Sequence, residues 1–285
     1  MKKLTIAYLG SPYFSANFLE KILTDKTLTD LLDISFVITQ PDKLSGRERV
    51  LTPTPVKEIA EKYNIKVETT LPQTKDRYHI DVALVYAYAG IIPDHLLDLP
   101  KLGFWCIHPS LLPKYRGSSP IATALINGDE TTGVTIIKMD EKIDHGPIIA
   151  QQSLTIKKYW LRPDLEKELT DLSFEMFLDL IKNRDVKKIF PLKEQDHKQA
   201  TYTKKLNKQD GFINLEKLKI PNSVYNLYRG LYSWPGIWTA LPDGKRLKIT
   251  EMKLVDDTKL AITKVQLEGK KEVDFNTFNR AYRIF

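Results

Sequence analysis

With 285 residues, 42% of them hydrophobic, the chain can bury a sizeable core and is long enough for two domains. One cysteine excludes an internal disulfide framework, and no apolar run approaches the ~18 residues of a spanning helix, so a soluble cytoplasmic protein without membrane attachment is expected. The net charge of +7 is uneven: Val186–Phe285 holds 20 Lys and Arg against 11 Asp and Glu, or +9, which leaves −2 for the first 185 residues.

The chain opens with MKKLTIAYLGSPYF, whose short apolar stretch Leu4–Leu9 reads as a buried first strand rather than a signal peptide. Gly10-Ser11-Pro12 turns it into a helix over about Phe14–Leu23, with Phe14, Phe18, Leu19, Ile22 and Leu23 at helical spacing. Ile34–Thr39 is the next strand. Thr54 then caps a helix VKEIAEKY with Pro55 in its first turn. Ile65–Val67, Val82–Ala87 and Phe104–Ile107 are further strands, the second almost wholly apolar. Strands buried on both faces and separated by helices predict a Rossmann-like, doubly wound, mostly parallel sheet. Ile121–Ile126 is helical, Val134–Met139 and Ile148–Ile156 are strands, and a long helix follows over about Pro163–Lys182.

We therefore expect a first domain over 1–183, a polar, lysine-rich linker over 184–205 and a small, mostly β domain over 206–285. The last has strand-like pieces at Arg246–Ile249 and Leu260–Leu267 and a short helix near Val224–Gly230. Its basic charge points to a polyanion partner, or to nothing more than a solvated lysine-rich surface.

Ligands of open α/β sheets bind beyond the carboxyl ends of the strands. Four features are expected to meet there: the Gly10-Ser11-Pro12 turn, Tyr86–Gly90, Cys106–Ser110 and the loop after Met139. GSP lacks both the dinucleotide fingerprint and the P-loop pattern, so neither NAD nor ATP is supported, and a tight turn is the plain alternative. His108 follows a buried strand, and Asp140 and Asp144 lie in MDEKIDHGP. A His and an Asp from separate strand ends are the parts that move one proton, though each taken singly is equally a structural histidine or a solvated aspartate. His79, His95, His145 and His197 form no i, i+4 pair and a single cysteine builds no structural zinc site, so no metal is expected. Cys106, two residues before His108, reads alone as a nucleophile, a ligand, packing or a substitute for another residue.

Taken together, the motifs resemble the formyltetrahydrofolate-dependent formyltransferases, most nearly the branch whose acceptor is methionyl-tRNA. The likeness runs along nearly the whole chain: VITQPDKLSGRERVLTPTPVKEIA, DVALVYAYAGIIP, HPSLLPKYRGSSPI and MDEKIDHGPI, then ATYTKKLNKQDGFINL and RGLYSWPGIWT. The resemblance implies a fold and a reaction. The fold ends in a small OB-like β-barrel, and the protein acts as a monomer. A formyl group passes from N10 of 10-formyltetrahydrofolate to the α-amine of initiator methionyl-tRNA, by direct amine attack through a tetrahedral intermediate. The family shares that work among an Asn, a His and an Asp. The latter two fall on His108 and Asp144.

The same resemblance puts the reduced folate along the backbone of Tyr86, Ala87, Tyr88, Ala89, Gly90, Ile91 and Ile92, and along Ser110, Leu111, Leu112 and Pro113. It puts the acceptor near Ser11, Pro12, Phe14, Tyr115 and Arg116, with Lys43, Arg47 and Arg49 toward the tRNA acceptor end. Three departures stand out. Cys106 occupies the family's Asn position; a thiol is one weak donor where a carboxamide offers two strong ones, and losing an oxyanion donor costs ~10²–10³ in turnover. Weak activity is expected unless a neighbour or water compensates, with a covalent thioformyl route through Cys106 as a minor alternative. Ala89-Gly90 replaces the family's Gly-x. The C-terminal domain looks about 20 residues short and so buries less surface. The alternatives to an active enzyme on methionyl-tRNA are an impaired relative that binds folate or tRNA, and a formyltransferase acting on an amino-sugar nucleotide.

Overall fold

In a computed structural model of the chain, residues 2–46, 48–71, 79–183, 192–214, 221–256 and 259–283 are described. Arg47 and the linker residues 184–191 lie outside them. The chain divides into two compact units, each assembled from three pieces: Met1–Arg116, Gly133–Leu154 and Glu166–Tyr202 form the first, and Gly117–Thr132, Thr155–Leu165 and Thr203–Phe285 the second.

The first unit opens with β1 (Leu4–Gly10), α1 (Tyr13–Thr24), α2 (Lys26–Leu31) and β2 (Leu32–Ile38). A small hairpin, β3 (Lys43–Ser45) and β4 (Val50–Thr52), leads to α3 (Pro55–Lys62), β5 (Val67–Glu68), β6 (Val82–Tyr86) and β7 (Phe104–His108). The two-residue strand β8 (Arg116–Gly117) ends this run. After α4 (Pro120–Asn127) come β9 (Thr131–Lys138), β10 (Ile148–Thr155) and the long α5 (Arg162–Lys182).

These strands make a seven-stranded sheet in the order β10-β9-β7-β6-β1-β2-β5. β1, β2, β5, β6 and β7 run parallel to one another, and β9 runs antiparallel to β7. Alternation along β1 divides the core between two faces. Tyr8 points toward α1, where Phe18 stacks at 6.3 Å, and Phe18 also meets Tyr86 and Phe177 edge-on. Each aromatic fully buried this way contributes about 1.5–3 kcal/mol through lost water contact. Ala7 and Leu9 point to the opposite face with Ala83, Val85 and Leu96. Gly10 ends β1 where a Cβ would strike the Ser15 hydroxyl, which itself bonds the Tyr8 hydroxyl. The expected cap is present: the Thr54 side chain accepts from the Lys57 amide at 3.2 Å. By contrast α2 escaped the sequence reading because it buries only Leu28 and has no apolar stripe.

After β11 (Tyr202–Thr203), the second unit contributes α6 (Pro221–Leu231), β12 (Ile237–Ala240), β13 (Arg246–Asp256), β14 (Lys259–Leu267), β15 (Glu272–Asp274) and α7 (Phe275–Tyr282). The last four strands form an antiparallel sheet in chain order. Its core joins Val224 and Tyr228 of α6 to Leu247, Ile249 and Val265. Gly230 of α6 allows close approach to α4, since a Cβ there would come within 2.7 Å of the Ala122 carbonyl. Helix α7 was not foreseen; Phe278 is its one fully buried side chain, and the Asp274 carboxylate caps it through the Asn276 and Thr277 amides. The fold is thus α/β with a Rossmann-like, mostly parallel sheet, followed by a small antiparallel β domain. Among the described residues no helix is long and apolar enough to cross a membrane.

Candidate active site

His108 closes β7 at the carboxyl edge of the parallel strands and is 4% exposed. Its Nε2 lies 2.8 Å from the Tyr115 carbonyl. A carbonyl only accepts, so Nε2 carries a hydrogen and Nδ1 is the nitrogen left to gain or lose one. Asp144 Oδ2 stands 3.5 Å from that Nδ1, and both side chains are largely buried. The gap exceeds a formed hydrogen bond but lies within ion-pair reach, in surroundings that strengthen the attraction.

Asp144 arrives by an unexpected path. The sequence reading had the loop after Met139 leaving the same edge as His108, which requires a parallel β9. Trp105 pairs with Lys138 and His108 with Thr135, so β9 runs the other way and its loop leaves from the opposite end of β7. The chain then folds back to bring Asp144 to His108, with Asp144 held at φ +50°. The structure also separates the two aspartates. Asp140 is occupied within the loop, accepting from His145 Nδ1 at 2.6 Å and from the Lys142 amide at 3.0 Å.

Cys106 sits two residues before His108, on the same face of β7. It packs half-buried beside Leu112, Ile137 and Ile148. Burial, and secondarily the Asp144 charge, push its thiol pKa well up. A thiol kept protonated is a poor nucleophile, which weighs against the covalent route. Near neutral pH, iodoacetamide is therefore expected to modify Cys106 more slowly than an unperturbed thiol. Mass spectrometry of a time course measures this, and labelling as fast as a peptide cysteine would contradict it.

The Ser110–Pro113 loop is firmly held. Thr135 Oγ1 donates to the Ser110 carbonyl at 2.6 Å and accepts from the Leu112 amide at 3.1 Å. Gln151 Nε2 donates to the Leu112 carbonyl at 2.9 Å. Leu111 and Pro113 are half-buried, and Ser110 and Leu112 are buried. Tyr86 turns its side chain to the α1 face, against Phe14 at 5.3 Å and toward the Thr170 hydroxyl, with burial raising its pKa to about 12. Only its backbone is left for the opposite face. Ala87 (φ +55°) and Ala89 are exposed, Ile91 is 91% exposed, and Tyr88, Gly90 and Ile92 are half-buried. Ser11 bonds Thr39, Pro12 stands at the N-cap position of α1 without a side-chain hydrogen bond, and Phe14 is half-buried. Lys43 and Arg49 are exposed on the β3–β4 hairpin.

Arg116 was expected on the substrate side, yet it is 1% exposed and faces the interior. Its Nη2 donates to Gln195 Oε1 at 2.6 Å and to His197 Nδ1 at 2.9 Å. Tyr115, also expected near the acceptor, is buried, and its contribution to His108 is a backbone carbonyl. Sequence reasoning missed Thr135, Gln151, Gln195 and His197. The latter two fall in the stretch read as a linker, and no local pattern marks any of the four.

A family model described as formyl transferase matches residues 4–181, and one described as formyl transferase, C-terminal domain, matches 205–261. The chain belongs to the formyl transferase family. Relatives named methionyl-tRNA formyltransferase include one from Caldicellulosiruptor saccharolyticus, 34% identical over 314 aligned positions covering 99% of this chain and 98% of the relative. One from Staphylococcus aureus is 35% identical over 264 positions, covering 90% and 81%. One from Thermotoga sp. is 40% identical over 243, covering 82% and 74%. Among solved structures, an N-formyltransferase from Helicobacter canadensis, in complex with folinic acid and dTDP-3-aminofucose, matches with TM-score 0.65 at 18% identity, covering 95% of this chain and 98% of its own. HypX from Aquifex aeolicus, in complex with tetrahydrofolic acid, matches with TM-score 0.64 at 14% identity, covering 99% and 48%. At these identities the structures share the fold of this formyl transferase.

Proposed function

We propose that the protein transfers the formyl group of 10-formyltetrahydrofolate to the α-amine of methionyl-tRNA. The observation that carries this reading is the buried His108–Asp144 pair at the end of β7, in a chain that aligns over 99% of its length with a methionyl-tRNA formyltransferase. The amine attacks the formyl carbon, and the new C–N bond forms as the carbonyl oxygen takes negative charge. His108 Nδ1 accepts the proton released by the amine, and Asp144 stabilises the imidazolium. The C–N10 bond then breaks, and N10 takes the proton, leaving tetrahydrofolate and formylmethionyl-tRNA. No acyl-enzyme forms, in keeping with a thiol held protonated at Cys106.

The folate lies along the backbone of Tyr86–Ile92 and the Ser110–Pro113 loop. The acceptor end of the tRNA approaches the β3–β4 hairpin through Lys43, Arg47 and Arg49, near Ser11, Pro12 and Phe14. The basic second unit holds tRNA phosphates. The protein works as a cytoplasmic monomer.

Binding of methionyl-tRNA is expected to weaken steeply with salt, losing about one decade of affinity per decade of salt for each phosphate neutralised. Filter binding at several salt concentrations reads that slope, alongside a formylation assay. Salt-insensitive binding together with no formyl transfer would sink the proposal. Salt-sensitive binding without transfer would favour the second reading, an impaired relative that binds tRNA, for which Cys106 is the specific observation.

A further inference from the structure

Gln195 bridges two parts of the first unit. It is 5% exposed, and its Nε2 donates to the Asp144 carbonyl at 2.9 Å and the Gly146 carbonyl at 2.7 Å. Its Oε1 accepts from Arg116 Nη2 at 2.6 Å. A guanidinium has no acceptor, so Arg116 fixes which end of the amide faces it and turns the NH2 group toward the two carbonyls. The support continues outward. Arg116 Nη2 also donates to His197, whose ring stacks on His145 at 3.8 Å, and His145 donates to Asp140 at the start of the loop. Beside Gln195, Lys193 and Ile148 exchange two backbone hydrogen bonds of 2.8 and 2.9 Å, tying this segment to the loop's far end.

Asp144 needs such support. At φ +50° it occupies the left-handed region that favours glycine. A residue in that region persists only where its surroundings hold it. The direction of its carboxylate follows its backbone, and Gln195 grips that backbone at residues 144 and 146.

We infer that Gln195 is a positioning residue for formyl transfer, holding the Asp144 carboxylate beside His108 Nδ1 while Arg116 orients the Gln195 amide. The inference rests on the proposed function in that the transfer uses the His108–Asp144 pair. Gln195 touches no reacting atom and acts through Asp144.

The test pairs Gln195→Met, which keeps length without hydrogen bonds, with Gln195→Glu, which keeps the acceptor for Arg116 and loses both donors. Both are expected to lower kcat for methionyl-tRNA formylation by roughly 10–100-fold, with KM unchanged for formyl donor and tRNA. Combined with Asp144→Asn, Gln195→Met adds no further loss, because the group it positions is already disabled. An unchanged kcat in both single variants, or an additive loss in the double variant, overturns the inference. The ring-nitrogen NMR signals of His108 report the same event without turnover. In both Gln195 variants they move to their positions in Asp144→Asn at the same pH, and signals that stay at the parent position overturn the positioning role. If Gln195→Met fails to fold, Gln195→Glu carries the same readouts. A parent protein that transfers no formyl group defeats the proposed function instead, and the His108 signals still decide the role of Gln195.

Discussion

Cys106→Asn is expected to raise turnover in methionyl-tRNA formylation by ~10²–10³-fold, the usual worth of one preorganised oxyanion donor. The argument begins at the strand. Cys106 and His108 share a face of β7, so a group at position 106 lies beside the nitrogen proposed to take the proton. As the tetrahedral intermediate forms, its oxygen needs a donor already in place. The thiol there offers one weak donor among Leu112, Ile137 and Ile148. A carboxamide offers two stronger ones, and the nearby Asp144 carboxylate, which already raises the thiol's pKa, can orient it. Steady-state formylation by the two proteins decides the matter. Equal rates in both would mean that another group already supplies the donor, and the expectation would be wrong.

Removing the proposed proton acceptor should cost more. His108→Ala is expected to lower kcat by ~10²–10⁴, with Asp144→Asn falling in the same range. The two act as a unit, so the double variant should be little worse than either single one. His108→Ala also removes the donor to the buried Tyr115 carbonyl, costing about 1–3 kcal/mol of stability, so urea unfolding must accompany the kinetics. Asp144→Asn is the cleaner probe, because it keeps the shape of the side chain and deletes only its charge. Folded variants that formylate methionyl-tRNA at the parent rate would remove His108 and Asp144 from the mechanism.

Much of the parallel sheet was legible from the chain alone, because its signals are local. Four consecutive apolar residues before Gly10, an apolar run over Val82–Ala87, and Thr54-Pro55 ahead of a helical stripe each depend on neighbours a few positions away. The long α5 announced itself through the spacing of Leu165, Leu169, Leu172 and Phe177. Helices α2 and α7 did not: α2 buries only Leu28, and α7 is just eight residues long, so its Phe275, Phe278 and Tyr282 at helical spacing went unread. At the site, His108 was legible as a strand-end imidazole in a distinctive HPSLLPKYRG frame. Which of Asp140 and Asp144 faces it was undecided by spacing, and only the resemblance chose Asp144.

By itself, then, the sequence determined the class of fold, the strand that presents His108, and the family to which HPSLLPKYRG and MDEKIDHGPI belong. Tertiary structure decided how those pieces meet. It set β9 antiparallel to β7, so that the Asp144 loop returns from the far end of the strand. It buried Arg116 against Gln195 and His197, and it brought Gln195, 51 residues along the chain from Asp144, into contact with that loop. The physical reason is range. Periodicity, caps and turns are energetic preferences of neighbouring residues, whereas a hydrogen bond between distant residues depends on how the whole unit closes around its core.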